Sequence, residues 1–498
     1  MSKWRVKVGL EIHARINAKS KLFSGSSSKF THNVSNANEQ VSMFDASIPG
    51  TLPRLNEACV DQAILTGLAL NGVVNRRSVF ERKHYFYGDS PLGYQITQQS
   101  DPIVSGGLLS FRYTEGERTS TTKMSKCRIT RIQLEQDTGR LSVEEGPYSL
   151  LDLNRAGTGV MEIVTEPDLR SSDETAGFVG AVQALLRHIG SCDGKLEDGS
   201  MRADVNVSIH SDTFDSHRVE IKNLNSIRGV AKAVDYEVSR LEKMYSNSSE
   251  RQSAETRSFN SQTNTTVSSR SKDAATDYRF FPEPDLLPLY LSKERIDRLA
   301  RSMPMLPEDI VTSMIERFGL SEYDARVLFH SDANAYFEQV LDSHRSNRDF
   351  AKSAANWICN SILELIKDTD KHISSCGIPA LVLGELIQMV QNETISHASG
   401  KIILSEYVKG GFENIHPLDI ANDKDLLQMN DEEALRQLCL GTLTSLSATK
   451  KGKKNLEMFK GGKESLLGFF VGQGLRDSHG RANPRILNAI MLETLKKT

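Results

Sequence analysis

Residues 130–170 read TRIQLEQDTGRLSVEEGPYSLLDLNRAGTGVMEIVTEPDLR, and the alternation within them decides the fold. Ile132 and Leu134 fall on one side of an extended chain, with Gln133, Glu135 and Asp137 on the other. Met161 and Ile163 repeat the arrangement around Glu162. The pattern predicts two half-buried strands with acidic polar faces, Glu166 and Asp168 following the second. Oxygen-rich faces of this kind suit Mg²⁺, which takes one or two carboxylates and completes its shell with waters and substrate phosphates. A solvated strand face laced with ion pairs to Arg131, Arg155 and Arg170 is the plainer alternative at this point.

The same alternation recurs outward from this stretch. In residues 5–16, Val6, Val8, Leu10 and Ile12 oppose Lys7, Glu11, His13 and Arg15. Glu11 and His13, two apart on a strand, can reach one ion or one phosphate, although such a histidine is as readily an ordinary surface group. Val205, Val207 and Ile209 oppose Asp204, Asn206 and His210, and Val219 and Ile221 oppose Glu220 and Lys222. Strands with one apolar and one polar face predict an antiparallel sheet, one side on a core and the other a broad, open, concave polar site. Residues 172–190 and 226–245 predict helices, and the Ser-, Thr- and Asn-rich residues 246–275 predict an exposed loop.

Between residues 80 and 99, Tyr85, Phe86, Tyr87 and Tyr94 sit among Arg82, Lys83 and Gln95. Interleaved aromatics and cations stack a base and hold phosphate oxygens, or equally build a plain β-hairpin around Gly88–Pro91. From about residue 293 only helical patterns follow, including an apolar stripe through Ala354, Trp357, Ile358 and Ile362. Near the end, Lys450, Lys451, Lys453 and Lys454 gather among glycines, a patch that grips a phosphate backbone or merely solubilises a loop.

Composition bounds the function. A chain of 498 residues predicts two to four domains. Its 61 basic and 64 acidic residues give a net charge of −3, so nucleic-acid binding has to come from local patches. Six scattered cysteines without a C-x-x-C pair argue for a reducing compartment and against a cysteine zinc site. The longest apolar run, residues 63–74, is too short to span a bilayer, so no membrane insertion is expected. No separable presequence is visible ahead of the first strand.

Nine strings carry a resemblance: VGLEIH from Val8, KSKLFSG from Lys19, YFYGD-P-GYQI-Q from Tyr85, LEQDTG from Leu134, LDLNRAG from Leu151, EIVTEPD-RS from Glu162, VEIKNLNS from Val219, DYRFFPEPDL from Asp277, and GFFVGQ with ANP near the end. Together, in this order, they resemble the B subunits of aspartyl/glutamyl-tRNA(Asn/Gln) amidotransferases, the GatB family. The resemblance implies an α+β fold with a cradle-like catalytic domain on an antiparallel sheet over 1–292. An all-helical domain over 293–405 and a small helical tail over 406–498 would contact the tRNA body. It implies ATP-dependent phosphorylation of the side-chain carboxyl of Glu on mischarged Glu-tRNA(Gln), or of Asp on Asp-tRNA(Asn). Ammonia then displaces phosphate. The partner implied for its supply is the amidase chain of the heterotrimer (GatA), a glutaminase, braced by the small third chain (GatC).

By matching position, the resemblance assigns Glu11, His13, Glu135 and Glu162 to the Mg²⁺ and phosphate cluster, with Glu166 and Asp137 as second choices. Lys83, Tyr85 and Arg155 would hold ATP or the tRNA 3′ end, and Lys450, Lys451, Lys453 and Lys454 the tRNA body. No zinc is expected, because Ser42 and Asp45 stand where some members carry a cysteine pair. Gln133 and Gln136 stand where bacterial members often carry His and Glu, a departure that resembles mitochondrial members. A mitochondrial address is therefore expected, with the bacterial cytoplasm as the alternative. Gln136 also leaves open a second reading, a tRNA-binding scaffold with reduced catalysis.

Overall fold

The computed structural model describes residues 4–29, 36–116, 121–143, 148–247, 254–271, 277–342, 347–369, 371–410 and 415–497. The chain divides into two compact units, Met1–Glu308 and Asp309–Thr498. Seven strands and three helices position the site in the first unit. In chain order these are β1 (Arg5–Arg15), α1 (Glu57–Ala69), β2 (Thr121–Gln136), β3 (Gly159–Thr165), α2 (Ser172–His188), β4 (Met201–His210), β5 (Val219–Leu224), α3 (Ile227–Asn247), β6 (Glu255–Asn260) and β7 (Thr265–Ser271).

One ten-stranded sheet runs β7-β6-β5-β4-β1-β3-β2, extended by Val104–Ser105 and Val73–Val74, with Leu108–Glu115 also paired to β2. β1 is central and antiparallel to both neighbours. Ile12, Ile163, Ile132, Val205 and Ile221 share one core with Phe178 and Val182 of α2 and Val230 and Val234 of α3. Fully burying each such side chain contributes ~1.5–3 kcal/mol, which is what commits the alternating strands to one register. α2 starts where Ser171 accepts from the Glu174 amide, and it carries Asp173 and Glu174 in its first turn and Arg187 and His188 in its last.

Two expectations change. Residues 246–275 are not a loop throughout: β6 and β7 lie within them, while 248–253 and 272–276 fall outside the described residues. The Ser and Thr side chains there bond one another and the framework, as in Ser258–Ser269 at 2.7 Å and Thr266 donating to Glu237 at 2.8 Å. Nor is the sheet wholly antiparallel, since β5 and β6 pair in parallel. The intervening α3 supplies the crossover that a parallel pair requires.

The 80–99 stretch forms a hairpin, Glu81–His84 against Tyr94–Thr97, one of the two readings its sequence allowed. Its outer edge is Phe281–Pro282, held by a bidentate pair between Arg82 and Glu283 at 2.7 Å. Helix Lys293–Ser302 belongs to the first unit: Ile296 and Leu299 pack on its core, and Arg295 Nε donates to Asp61 at 2.7 Å.

Among the described residues the second unit has helices and no strand. Its 348–366 stretch is interrupted by a π-helical turn, Ile358–Ile362, with Trp357, Ile358 and Ile362 buried as expected. Residues Leu435 to Leu495 contribute a separate apolar cluster around Phe470, Leu487 and Met491.

Candidate active site

Register brings the candidate residues together. β1 sets His13 opposite Glu162 on β3 and Arg202 on β4. β3 in turn sets Glu162 opposite Gln133 and Val160 opposite Glu135 on β2. Because side chains alternate, the polar members of these pairs lie on the face turned away from the apolar core. The ligand atoms of His13, Glu135 and Glu162 lie within 4.8 Å of one another. Glu135 and Glu162 are 5% and 7% exposed, so this is no solvated strand face, and the site is more enclosed than an open concave surface.

A hydrogen-bond frame holds the acids. Gln133 Nε2 donates to Glu162 Oε2 at 2.8 Å and to Thr97 Oγ1 at 3.1 Å, while Arg131 Nε donates to Gln133 Oε1 at 2.7 Å. His13 Nε2 stands 3.7 Å from Glu135 Oε1. Burial and the adjacent charge of Glu135 push the Glu162 carboxyl up to about 7. Burial likewise raises Glu135. Asp137 shows the opposite result two residues away: burial acts to raise it, but Arg202 at 3.1 Å and Arg155 at 3.6 Å hold it below the usual range. Glu135 and Glu162 are thus crowded acids whose burial outweighs the nearby charge of Lys83, and two carboxylates with one imidazole fit Mg²⁺ or Mn²⁺.

The proton on Glu162 makes that fit pH-dependent, because a ligating carboxylate has to be ionised. With the carboxyl titrating at about 7, Mn²⁺ affinity measured by calorimetry rises about tenfold between pH 6 and pH 8. In Glu162→Gln the share of this rise that comes from Glu162 is lost.

A cavity of about 710 Å³ opens beside the acids, within the range typical of ligand sites. His13, Glu135, Lys83, Tyr85, Arg202 and Tyr278 are among its lining residues. Lys83 Nζ lies 5.0 Å from the centre of the Tyr278 ring, and Tyr85 stacks on Tyr87 at 4.4 Å.

Other candidates fall elsewhere. Glu11 shares the polar face but accepts from Asn206 Nδ2 at 3.1 Å, outside the group of three. Glu166, past the register shift at the end of β3, accepts from Thr130 Oγ1 at 2.9 Å and is also outside it. Arg155 does not line the large cavity; it donates to the carbonyls of Thr138 and Gly139 at 2.9 and 2.7 Å. Lys450, Lys451, Lys453 and Lys454 are on helix Lys450–Lys460 of the second unit, capped by Thr449 and exposed, where the glycines had pointed to a loop. Sequence reading misses Gln133 as the donor that seats Glu162, and Thr97 and Arg202 as neighbours. Alternation puts Gln133 on the correct face, but only register shows what it touches.

Comparisons with known proteins identify the family. Residues 6–297 match the GatB/GatE catalytic domain, and residues 335–495 match the GatB domain. The chain is 43% identical to the B subunit of the aspartyl/glutamyl-tRNA(Asn/Gln) amidotransferase of Rickettsia bellii (strain RML369-C), over 99% of this chain and 98% of that one. It is 42% identical to the B subunit of the corresponding amidotransferase of Rickettsia canadensis (strain McKiel), over the same shares. These relatives are bacterial and lend no support to a mitochondrial address. Among the described residues no helix is long and apolar enough to cross a membrane. The chain belongs to the GatB family, and its sheet-built unit carries that family's catalytic domain.

Proposed function

We propose that the chain is the B subunit of a tRNA-dependent amidotransferase, which uses ATP to phosphorylate the side-chain carboxyl of a misacylated Glu-tRNA(Gln) or Asp-tRNA(Asn) and passes it to ammonia. The observation that carries this is the buried meeting of His13, Glu135 and Glu162 beside a nucleotide-sized cavity. A carboxylate is a poor acyl electrophile, and amide formation needs its oxygen converted into a leaving group. Mg²⁺ held by His13, Glu135 and Glu162 would supply charge neutralisation at the transferred phosphoryl group. Gln133 keeps Glu162 aimed by its 2.8 Å hydrogen bond. Lys83 adds positive charge to the same cavity, and Arg202, tied to Asp137, keeps that acid ionised and out of competition. Ammonia would come from a glutaminase partner, GatA with GatC, and the exposed lysines of helix Lys450–Lys460 would contact tRNA phosphates.

The second reading is a tRNA-binding scaffold with reduced catalysis, for which Gln136 is the motive. Gln136 lines a small cavity of about 20 Å³ with Asp45 and Asp89, and this cavity shares Gln95, Asp137 and Thr138 with the large one. The test is reconstitution with the glutaminase partners and measurement of phosphate release from ATP. Release is expected only when a misacylated tRNA is present. Equal release without tRNA would point to an unrelated ATP-using ligase, and none with tRNA would leave the scaffold.

A further inference from the structure

The cavity wall made by β5 takes no part in the phosphoryl transfer proposed, and its construction is unusual. Val205 pairs with Ile221, but Ala203 pairs with Leu224, so Lys222 and Asn223 together oppose the single residue Asp204. This is a β-bulge, a device that re-aims side chains beside functional sites. Asn223 adopts φ +65°, the left-handed region. As a result Lys222, Asn223, Leu224 and Asn225 all line the cavity, where a regular strand would offer alternate residues. Lys222 is held by Asp204 at 2.8 Å and Glu220 at 3.0 Å, so it is committed to the framework. Asn223 and Asn225 are exposed, and among the described residues their side-chain amides have no hydrogen-bond partner. Leu196 and Leu224 back this wall from the core, at 2% and 3% exposure.

We infer that this bulge is the adenine-reading wall of the site: Asn223, with Asn225 beside it, hydrogen-bonds the N6/N7 edge of an adenine held in this cavity. A primary amide offers one donor and one acceptor side by side, which matches the N6 donor and N7 acceptor of adenine and mismatches guanine's two acceptors, O6 and N7, on the same edge. The inference rests on the proposed reaction, which brings two adenosines to this unit, one in ATP and one at the 3′ end of tRNA. The shared chemistry is adenine, and the measurement separates the two sources.

The experiment uses the full chain with Mg²⁺ and two probes: a non-hydrolysable ATP analogue against its GTP counterpart, and an RNA minihelix ending in CCA against one ending in CCC. Binding is measured for wild type, Asn223→Ala, Asn223→Gly and Asn225→Ala, with thermal unfolding as the check on folding. Asn223→Gly keeps the left-handed backbone and removes only the amide. The expected result is that Asn223→Ala and Asn223→Gly both lose about tenfold or more in preference for adenine, in one probe pair, at unchanged affinity for the guanine or CCC probe. Loss in the nucleotide pair assigns the wall to ATP, and loss in the RNA pair assigns it to the tRNA end. Retained preference in Asn223→Gly overturns the inference while leaving the reaction intact. Failure of the wild type to bind either probe overturns both.

Discussion

Glu162→Gln lowers tRNA-dependent phosphate release by about a hundredfold or more, yet leaves the metal-free protein no less stable at pH 8. The two halves of this result have one cause. Glu162 is buried against Glu135, and in the absence of a cation the two carboxylates repel in a dry setting. The folded protein therefore keeps the Glu162 proton up to a pH of about 7, whereas the unfolded chain releases it near 4.5. Between those values the folded state binds the extra proton, so this group's contribution to stability falls as pH rises across that window and is flat above it. A glutamine, neutral at every pH, removes the penalty and keeps the shape, and unfolding followed from pH 4.5 to 8 shows a flatter curve in the variant. Activity moves the other way because the charge that burdens the empty fold is what binds the metal. A variant with lost activity and lost stability together would instead assign Glu162 a structural role.

The largest stability effect is expected at the other end of the active-site frame. Lys21→Met destabilises the protein by about 3–5 kcal/mol, read as a fall in the urea midpoint, because it leaves Asp45 as an uncompensated buried charge. Both side chains are essentially inaccessible, and Lys21 Nζ lies 3.1 Å from Asp45 Oδ2. Ser24 Oγ and the Ser42 amide also donate to that oxygen, at 3.1 and 2.8 Å. Burial, offset only in part by Asp45, lowers the Lys21 pKa, so the pair is costly as well as specific. Lys21→Met combined with Asp45→Leu accordingly recovers much of the loss. The pair sits where three sequence strings meet: Lys21 also donates to the Leu153 carbonyl at 3.3 Å, Leu22 to the Gly157 carbonyl at 3.0 Å, and Gly157 to the Asp137 carbonyl at 2.9 Å. Gly157 has φ +79°, and a Cβ there would lie 2.7 Å from Asp45 Oδ1, which is why the turn carries glycine. A single-variant loss below about 1 kcal/mol would show that the site is open to water in solution.

The alternation around Glu135 and Glu162 is enough to read the central strands, their faces and the acidic character of the site, because a period of two is a local property. The helices α2 and α3 are legible for the same reason. What stays hidden is non-local. Nothing in residues 130–170 reports that Gln133 donates to Glu162, since that depends on a pairing across 29 positions. The hairpin β6–β7 escapes because its Ser and Thr residues read as solvated loop; they bond one another and Glu237 instead. Glu166 shares the parity of Glu162, and only the register shift at Val164/Thr165 separates it from the acid cluster. The bulge at Asn223 is invisible too, since VEIKNLNS scans as an ordinary strand end and gives no sign that two residues will oppose Asp204.

All of this depends on one buried cation site between β1, β2 and β3. A crystal soaked in Mn²⁺ and recorded at the manganese absorption edge locates the ion directly. The account predicts one strong anomalous peak within bonding distance of His13, Glu135 and Glu162, absent in Glu162→Gln. A peak elsewhere in the protein, or none at saturating Mn²⁺ above pH 8, would contradict it.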